Sequence, residues 1–236
     1  MIGIVIPAHN EEQAIGTCLA AVRRAGQHRA LMGEPVETVV VLDDCTDATC
    51  VLAAAAGAMT VSVRARNVGM ARAVGAQALL ARGARWLSFT DADTVVSEPW
   101  LANQLALQAD VVCGTVGVQD WSPHGCNAEL LQAHFSETYF DHDDHRHVHG
   151  ANLGVSADAY RSVGGFKHLV CGEDETLVAA LVASGYRVAW SSLPRVVTSA
   201  RVDARAPGGF AGALLNAVAQ RLAGVAAPLQ PTTIPP

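Results

Sequence analysis

Trp86-Leu-Ser-Phe-Thr-Asp-Ala-Asp-Thr94 is the stretch that decides the fold. A short apolar strand runs straight into two carboxylates, Asp91 and Asp93, spaced i, i+2 around Ala92. In an open α/β sheet, ligands bind at the carboxyl ends of the strands. Two carboxylates at such an end can hold a hard divalent cation, which in turn can hold a diphosphate. Taken alone, Asp-x-Asp reads better as a polar turn, because Asp is common in turns. The flanking sequence reverses that preference.

Upstream, strands and helices alternate. Ile2-Gly-Ile-Val-Ile6 is a continuous apolar run, as expected of a strand buried on both faces, and Pro7 ends it. A helix is predicted from about Glu11 to Ala25, with acidic residues in its first turn. Val36 to Leu42 is a second strand, followed by Asp43-Asp44-Cys-Thr-Asp47 and a helix to Ala58, with Thr46 or Asp47 as cap candidates. Thr60 to Val63 is a third strand, Arg64 to Gly69 a turn, and Met70 to Ala81 an Ala-rich helix. This alternation predicts a doubly wound, mainly parallel sheet with helices on both faces. Polar residues follow each strand and so gather at one sheet edge. No Gly-x-Gly-x-x-Gly follows the first strand and no Gly-Lys-Ser/Thr occurs, so neither a dinucleotide fingerprint nor a P-loop is present.

The second half is mixed. Helices are predicted from Pro99 to Gln108, Cys126 to Phe140, Ser156 to Val163, Gly172 to Ser184 and Gly209 to Ala223. Strands are predicted at Asp110 to Val118, Tyr186 to Trp190 and Arg195 to Ser199. The expected organisation is one domain over residues 1–225, with a nucleotide-binding half at 1–95, a second half at 96–225 and a flexible tail at 226–236.

Composition limits the partners. The 236 residues are 50% hydrophobic and 16% charged, enough for a sizeable core and against disorder. A net charge of -6 with no basic run disfavours nucleic acid and anionic membranes. No apolar run reaches the length of a membrane span, and no signal-type segment opens the chain, so a cytoplasmic location is expected. Six cysteines show neither Cys-x-x-Cys nor zinc spacing and read as small buried hydrophobes in a reducing compartment.

Seven short motifs then fall in a telling order: Ile4-Val-Ile-Pro-Ala-His-Asn-Glu11, Val41-Leu-Asp-Asp-Cys-Thr-Asp47, Asn67-Val-Gly69, Asp91-Ala-Asp93, Gly150-Ala-Asn-Leu-Gly154, Gly164-Gly-Phe166 and Gly172-Glu-Asp174. The order resembles that of bacterial family 2 glycosyltransferases of the GT-A fold, over roughly residues 2–200. The resemblance implies a nucleotide-binding α/β half followed by an acceptor-binding half. It implies an inverting, metal-dependent transferase of the hexosyltransferase type, with a nucleotide-sugar donor (UDP-sugar before GDP-sugar) and Mg²⁺ or Mn²⁺ as cofactor. By the same resemblance, Pro7, Ala8, His9 and Glu11 wall the nucleoside. Asp43, with Asp44 beside it, accepts from the base, and the turn holding Arg64, Asn67 and Gly69 closes over base and ribose. Arg72 reaches a phosphate, Asp91 and Ala92 flank the ribose or metal, and Asp93 ligates the metal. His149, Gly150, Asn152, Glu173 and Arg201 lie at the donor or acceptor sugar, and Asp174 is the general base.

Residue chemistry agrees with these roles. A departing diphosphate needs cationic stabilisation, and an attacking hydroxyl needs a carboxylate to take its proton. Glu173 and Glu175 are expected to raise the pKa of Asp174 as flanking like charges. Some family members place a metal-ligating His after the base; here Val196-Val-Thr-Ser-Ala-Arg201 has none, and Arg201 or Arg205 is offered to the diphosphate instead. The tract His142 to His149 reads as a solvated loop or acceptor lid. A transition-metal site built from His145, His147 and His149 with Asp141, Asp143 and Asp144 is the alternative. Trp100 and Trp121 read as core before sugar-stacking residues. A sugar nucleotidyltransferase, or a non-catalytic sugar-nucleotide binder on the same fold, are the competing functions. The acceptor and the oligomeric state are left open by the sequence.

Overall fold

The computed structural model describes residues 1–202. The helix expected over 209–223, the tail over 226–236 and the proposed contact of Arg205 lie outside the described residues. Within them, one sheet contains β1 (Ile2–Ala8), β2 (Val36–Asp43), β3 (Met59–Val63), β4 (Trp86–Phe89), β5 (Val95–Val96), β6 (Val111–Gly117), β7 (Leu153–Ser156) and β8 (Val188–Val197). The helices are α1 (Ile15–Gly26), α2 (Thr49–Ala55), α3 (Val68–Ala81), α4 (Trp100–Ala106), α5 (Ala128–Thr138), α6 (Ala157–Ser162) and α7 (Glu173–Ala183).

The strand order is β3-β2-β1-β4-β7-β6-β8-β5. β1 pairs in parallel with both β2 and β4, and β2 with β3. The chain therefore winds one way from β1 into β2 and β3 and returns to β1's other side as β4. That reversal opens a crevice at the carboxyl ends of β1 and β4. Beyond β4 the sheet is mixed. β7 runs antiparallel to β4 and β6, β8 runs parallel to β6, and β5 closes the edge antiparallel to β8.

Side-chain alternation builds a core on each face. Ile2, Ile4 and Ile6 pack with Ile15, Leu19 and Val22 of α1 and with Trp100 and Leu101 of α4. Val5, Val39 and Val41 pack on the other face with Ala71, Ala76 and Leu79 of α3 and Leu177, Val178 and Leu181 of α7. Trp100 belongs to this core, as expected, and is fully buried.

Among the boundaries that differ from the sequence reading, three bear most on the architecture. α1 begins at Ile15 rather than near Glu11 because the β2 loop captures residues 11 and 12. Glu11 N donates to Thr49 Oγ1 at 2.8 Å, Glu12 N donates to Asp47 Oδ2 at 3.0 Å, and Glu12 Oε2 accepts from Ala48 N at 2.9 Å. The helix expected from Cys126 starts at Ala128, preceded by a 3₁₀ turn in which Gly125 takes φ 53°. The two closing strands are one, β8, with a register shift opposite Gly114/Thr115.

α3 sits unusually close to the sheet. A Cβ on Gly75 would lie 2.5 Å from Val5 Cγ1 and 2.9 Å from Val41 Cγ2, closer than any real contact. Overpacking of this kind costs ~1–3 kcal/mol. Gly75→Val should therefore lower the melting temperature by about 2–12 °C, at roughly 2–4 °C per kcal/mol for a chain of this size, as followed by far-UV circular dichroism.

Candidate active site

The site is assembled around Arg72. It projects from α3, whose first turn is capped by Asn67 Oδ1 accepting from Met70 N at 2.8 Å. Arg72 is buried. Its Nη2 donates to Asp91 Oδ1 at 2.7 Å at the end of β4, and its Nη1 donates to Glu173 at the start of α7. Gly150 lies against the guanidinium, and a Cβ there would fall 2.3 Å from the Arg72 Cζ. One buried cation thus ties β4, α7 and the 149–152 turn together. Arg72, expected at a phosphate, faces inward onto Asp91 and Glu173, and Glu173, expected at a sugar, is buried against Arg72. Burial raises the Glu173 pKa, while Arg72 pulls it down.

The nucleoside side is built by β1 and β2. Asp43 is buried, and its two oxygens accept from three backbone N–H groups, Ala65 and Arg66 on Oδ1 and Asn67 on Oδ2, all at 2.8 Å. Asp43 therefore shapes the 64–67 turn from the end of β2. Asp44, next to it, stays open at 44% side-chain exposure and lies 3.8 Å from Arg66 Nε. His9 Nδ1 bonds Asp43 O at 2.7 Å, and Arg66 Nη1 contacts the same imidazole. Arg66 is thus a site residue the sequence reading passed over; its neighbour Arg64 is exposed. Ala8 is buried, and its carbonyl accepts from Cys45 Sγ at 3.3 Å. Asn67 Nδ2 donates to Leu169 O at 2.6 Å, and Gly69 leaves room for Lys167 O, 2.7 Å from where its Cβ would be. Both clamp the 64–69 turn onto the segment before α7.

At the end of β4, Ala92 turns into the core while Asp91 pairs with Arg72 and Asp93 with Arg201. The Asp93 side chain is 9% exposed and is pushed up to about 6, chiefly by burial, with Arg201 opposing and Asp91 and Glu11 adding like charge. Arg201 Nη2 bonds Asp93 Oδ2 at 2.8 Å, and its Nη1 bonds Glu11 Oε1 at 2.7 Å. The oxygens here are all carboxylate, the donors suited to a hard cation. Among the described residues, no group of three or more His, Cys, Asp or Glu closes around a metal position.

Asp174 sits in the first turn of α7, after Gly172 at φ 70°. Its Oδ2 accepts from Gly150 N at 2.7 Å and its Oδ1 from Glu175 N at 2.9 Å. Glu173, one residue before it, is turned inward onto Arg72. Asn152, placed at the donor sugar by sequence, is fully buried. It accepts from Trp100 Nε1 and donates to Thr115 O and Pro194 O. It is a brace for the sheet.

The His tract, expected as a solvated loop or acceptor lid, instead buries His145 and His147 in a column of stacked rings. Phe135, Tyr139, His147 and His145 stack in succession with centroids 4.6, 4.4 and 5.2 Å apart, and Trp190 meets His145 edge-on. Asp143 is spent on Ser191 and Ser192, and Asp141 on Thr115 and Arg195. Tyr139 Oη bonds His149 Nε2 at 2.9 Å, next to Gly150. Beside the column, a cavity of about 280 Å³ at the mouth of β6 is lined by Trp121, Gln132, Phe135, Ser136, Tyr139 and Asp141 among others.

Two outcomes follow from this geometry. Burial and neighbouring imidazoles lower His147 to about 4 and His149 to about 3. Their folded pKa values lie below the unfolded ~6.5, so the unfolded chain binds protons first. Their contribution to stability is present above pH 6.5 and fades as pH falls toward 4. Asp93, raised, works the opposite way between its unfolded value and about 6. Comparing urea midpoints from pH 7 to 4.5, His147→Phe should show a shallower loss than the wild type, isolating the imidazole. Separately, Arg72→Met leaves Glu173 buried without its partner and should cost ~3–5 kcal/mol in urea unfolding, partly recovered by adding Glu173→Gln.

No helix among the described residues is long and apolar enough to cross a membrane. No curated protein sequence matches the chain. Several solved structures share its fold. A mannosyltransferase from Pyrobaculum calidifontis, in complex with GDP-Man and Mn²⁺, aligns with a TM-score of 0.61 at 18% identity, over 94% of this chain and 61% of its own. Residues 1–349 of TarS from S. aureus, in complex with UDP-GlcNAc, align with a TM-score of 0.64 at 14% identity, over 96% and 67%. Glucosyl-3-phosphoglycerate synthase from Mycobacterium tuberculosis, with Mn²⁺, UDP and phosphoglyceric acid, aligns with a TM-score of 0.58 at 18% identity, over 96% and 80%. The chain thus spans about three fifths of the length of the mannosyltransferase. The parallel half, the mixed half and the strand-end carboxylates of this protein form a GT-A sheet, and residues 3–164 match the model of glycosyl transferase family 2, the family to which this chain belongs.

Proposed function

We propose that the protein moves a hexosyl group from a nucleoside diphosphate sugar, UDP-sugar before GDP-sugar, to an acceptor hydroxyl with inversion at the anomeric carbon. The observation that carries the reading is the pairing of Asp91 and Asp93 at the end of β4 with Asp174 held nearby through the Arg72–Gly150 contact. The relatives in complex with GDP-Man, UDP-GlcNAc or UDP support a nucleotide-sugar donor, and the two with Mn²⁺ support a divalent cation.

The residues fit such a cation. Asp91 and Asp93 offer two carboxylates, and Mg²⁺ is commonly held by one or two carboxylates with water and substrate phosphates completing the shell. When bound there, Mg²⁺ or Mn²⁺ supplies Lewis-acid stabilisation of the leaving diphosphate. Glu11, His9, Asp44 and Arg66 wall the nucleoside, in a crevice shaped by the Asp43-braced turn. The acceptor enters by the cavity at the mouth of β6, whose polar lining of Gln132, Ser136 and Asp141 suits sugar hydroxyls. Asp174 takes the acceptor's proton as its oxygen attacks the face opposite the diphosphate. Six free thiols suit a reducing compartment, and we place the protein in the cytoplasm.

Melting temperatures measured with UDP, GDP, CDP and dTDP, each with and without Mn²⁺, test the donor reading. A native-state ligand raises the melting temperature by mass action, so one nucleotide should stabilise the protein, and more strongly with Mn²⁺. No shift with any of the four sinks the reading in favour of a non-catalytic role on this fold. Asp174→Asn should then lower kcat by about 10²–10⁴-fold, the range of general-base contributions, with nucleotide affinity unchanged. A parallel loss of nucleotide binding would remove Asp174 from the role of base.

A further inference from the structure

Arg201 lies on the carboxylate that the proposed function gives to the cation. Its guanidinium spans Glu11 and Asp93, whose side chains are 8% and 9% exposed, while Arg201 itself keeps 27%. Its backbone is fixed by other contacts. Thr198 N donates to Gly117 O at 2.9 Å, Thr94 Oγ1 donates to Thr198 Oγ1 at 3.0 Å, and Ala200 is buried against the cluster of Trp121 and Leu131. A pinned backbone with a long, partly exposed side chain lets the guanidinium swing without moving the sheet. The planar fork of Arg suits phosphate as well as carboxylate.

We propose that Arg201 exchanges partners during donor binding. In the donor-free protein it neutralises Asp93 and Glu11. When the nucleoside diphosphate arrives, the guanidinium moves to the phosphates and frees Asp93 for the divalent cation. This rests on the nucleotide-sugar reading above. Two cations on one nearly buried carboxylate repel each other, so the cation alone must compete with Arg201 for Asp93. With the diphosphate present, the competitor has a better place to go. Cation and nucleotide therefore favour each other's binding, and the coupling is reciprocal. A neutral Met at position 201 removes the competitor and the phosphate contact together.

Titration calorimetry separates these effects. The probes are Mn²⁺ alone, UDP and GDP alone, and Mn²⁺ titrated into protein saturated with each nucleotide. In the wild type, Mn²⁺ alone should bind at least tenfold more weakly than in the presence of the nucleotide. In Arg201→Met, Mn²⁺ alone should bind about tenfold more tightly than in the wild type. Nucleotide affinity should fall about tenfold, and the coupling factor should drop toward one. Adding Asp93→Asn to Arg201→Met should abolish the gained Mn²⁺ affinity, which assigns it to this carboxylate rather than to the histidines. Arg201→Lys, which keeps the charge but not the fork, should keep Mn²⁺-alone binding weak and lose part of the coupling; it serves if the Met variant does not fold. An unchanged coupling factor in Arg201→Met, or Mn²⁺-alone binding no tighter than in the wild type, overturns the exchange while leaving the nucleotide-sugar reading in place. Failure of UDP, GDP, CDP and dTDP alike to bind wild-type protein with Mn²⁺ overturns both.

Discussion

A guanidinium almost out of reach of water holds the halves of this protein in register. Arg72 leaves α3, passes over the bare Cα of Gly150 and divides its charge between Asp91 and Glu173. The ring of Phe166 lies 5.8 Å away and closes the remaining side. A buried ion pair of this kind gives little net stability, since desolvation consumes most of the Coulomb gain. What it gives is geometry. Asp91 follows β4 in the parallel half of the sheet, and Glu173 begins the helix that presents Asp174 one residue later. The separation between the donor carboxylates and the candidate base is thereby set by one side chain. A buried bond to each partner fixes it better than loop packing would.

Much of the fold was legible because its first half obeys simple rules. β1, β2 and β4 are buried apolar runs, each ending in polar residues, and that pattern points to parallel strands with their functional ends together. The second half breaks the pattern. β7 inserts antiparallel between β4 and β6, and β5 is two residues long, too short to carry any periodicity. The start of α1 departs from its local sequence signal for a related reason. Acidic residues at a helix start are normally read as macrodipole partners, but Glu12 instead caps the α2 side of a loop thirty-six residues away.

The site was legible in position more than in role. Gly150, Asn152 and Gly154 form a recognisable motif, yet each answers a packing demand. Gly150 admits Arg72, Asn152 fills the space over Gly114, and Gly154 admits Gln104 and Trp86. An Arg in an Ala-rich helix reads as a solvent-facing charge available to a phosphate, because its partner Glu173 lies a hundred and one residues on. Asp43 has the residue type of a base contact, but the backbone N–H groups that consume it come from a turn over twenty residues later. Residue chemistry and spacing locate a site, whereas long-range partners decide which of its members remain free to touch a ligand.

The two arginines of the site show how burial converts the same side chain to different uses. Arg72, enclosed on every side, acts as a permanent brace, while Arg201, with a quarter of its surface open, retains freedom to move. Together they face five carboxylates, Glu11, Asp91, Asp93, Glu173 and Asp174, so the donor-free edge of the sheet carries an excess of negative charge. The field is felt behind the site as well. The buried Cys18 thiol, bonded to Asp91 O, is pushed up by burial and then by Asp91, Asp93 and Glu11. An edge so charged repels a bare diphosphate. A nucleotide entering it needs a positive charge to arrive with it or to be released on arrival. Asp93, raised to about 6 even with a guanidinium on one oxygen, is the group on which that missing charge would have the greatest effect.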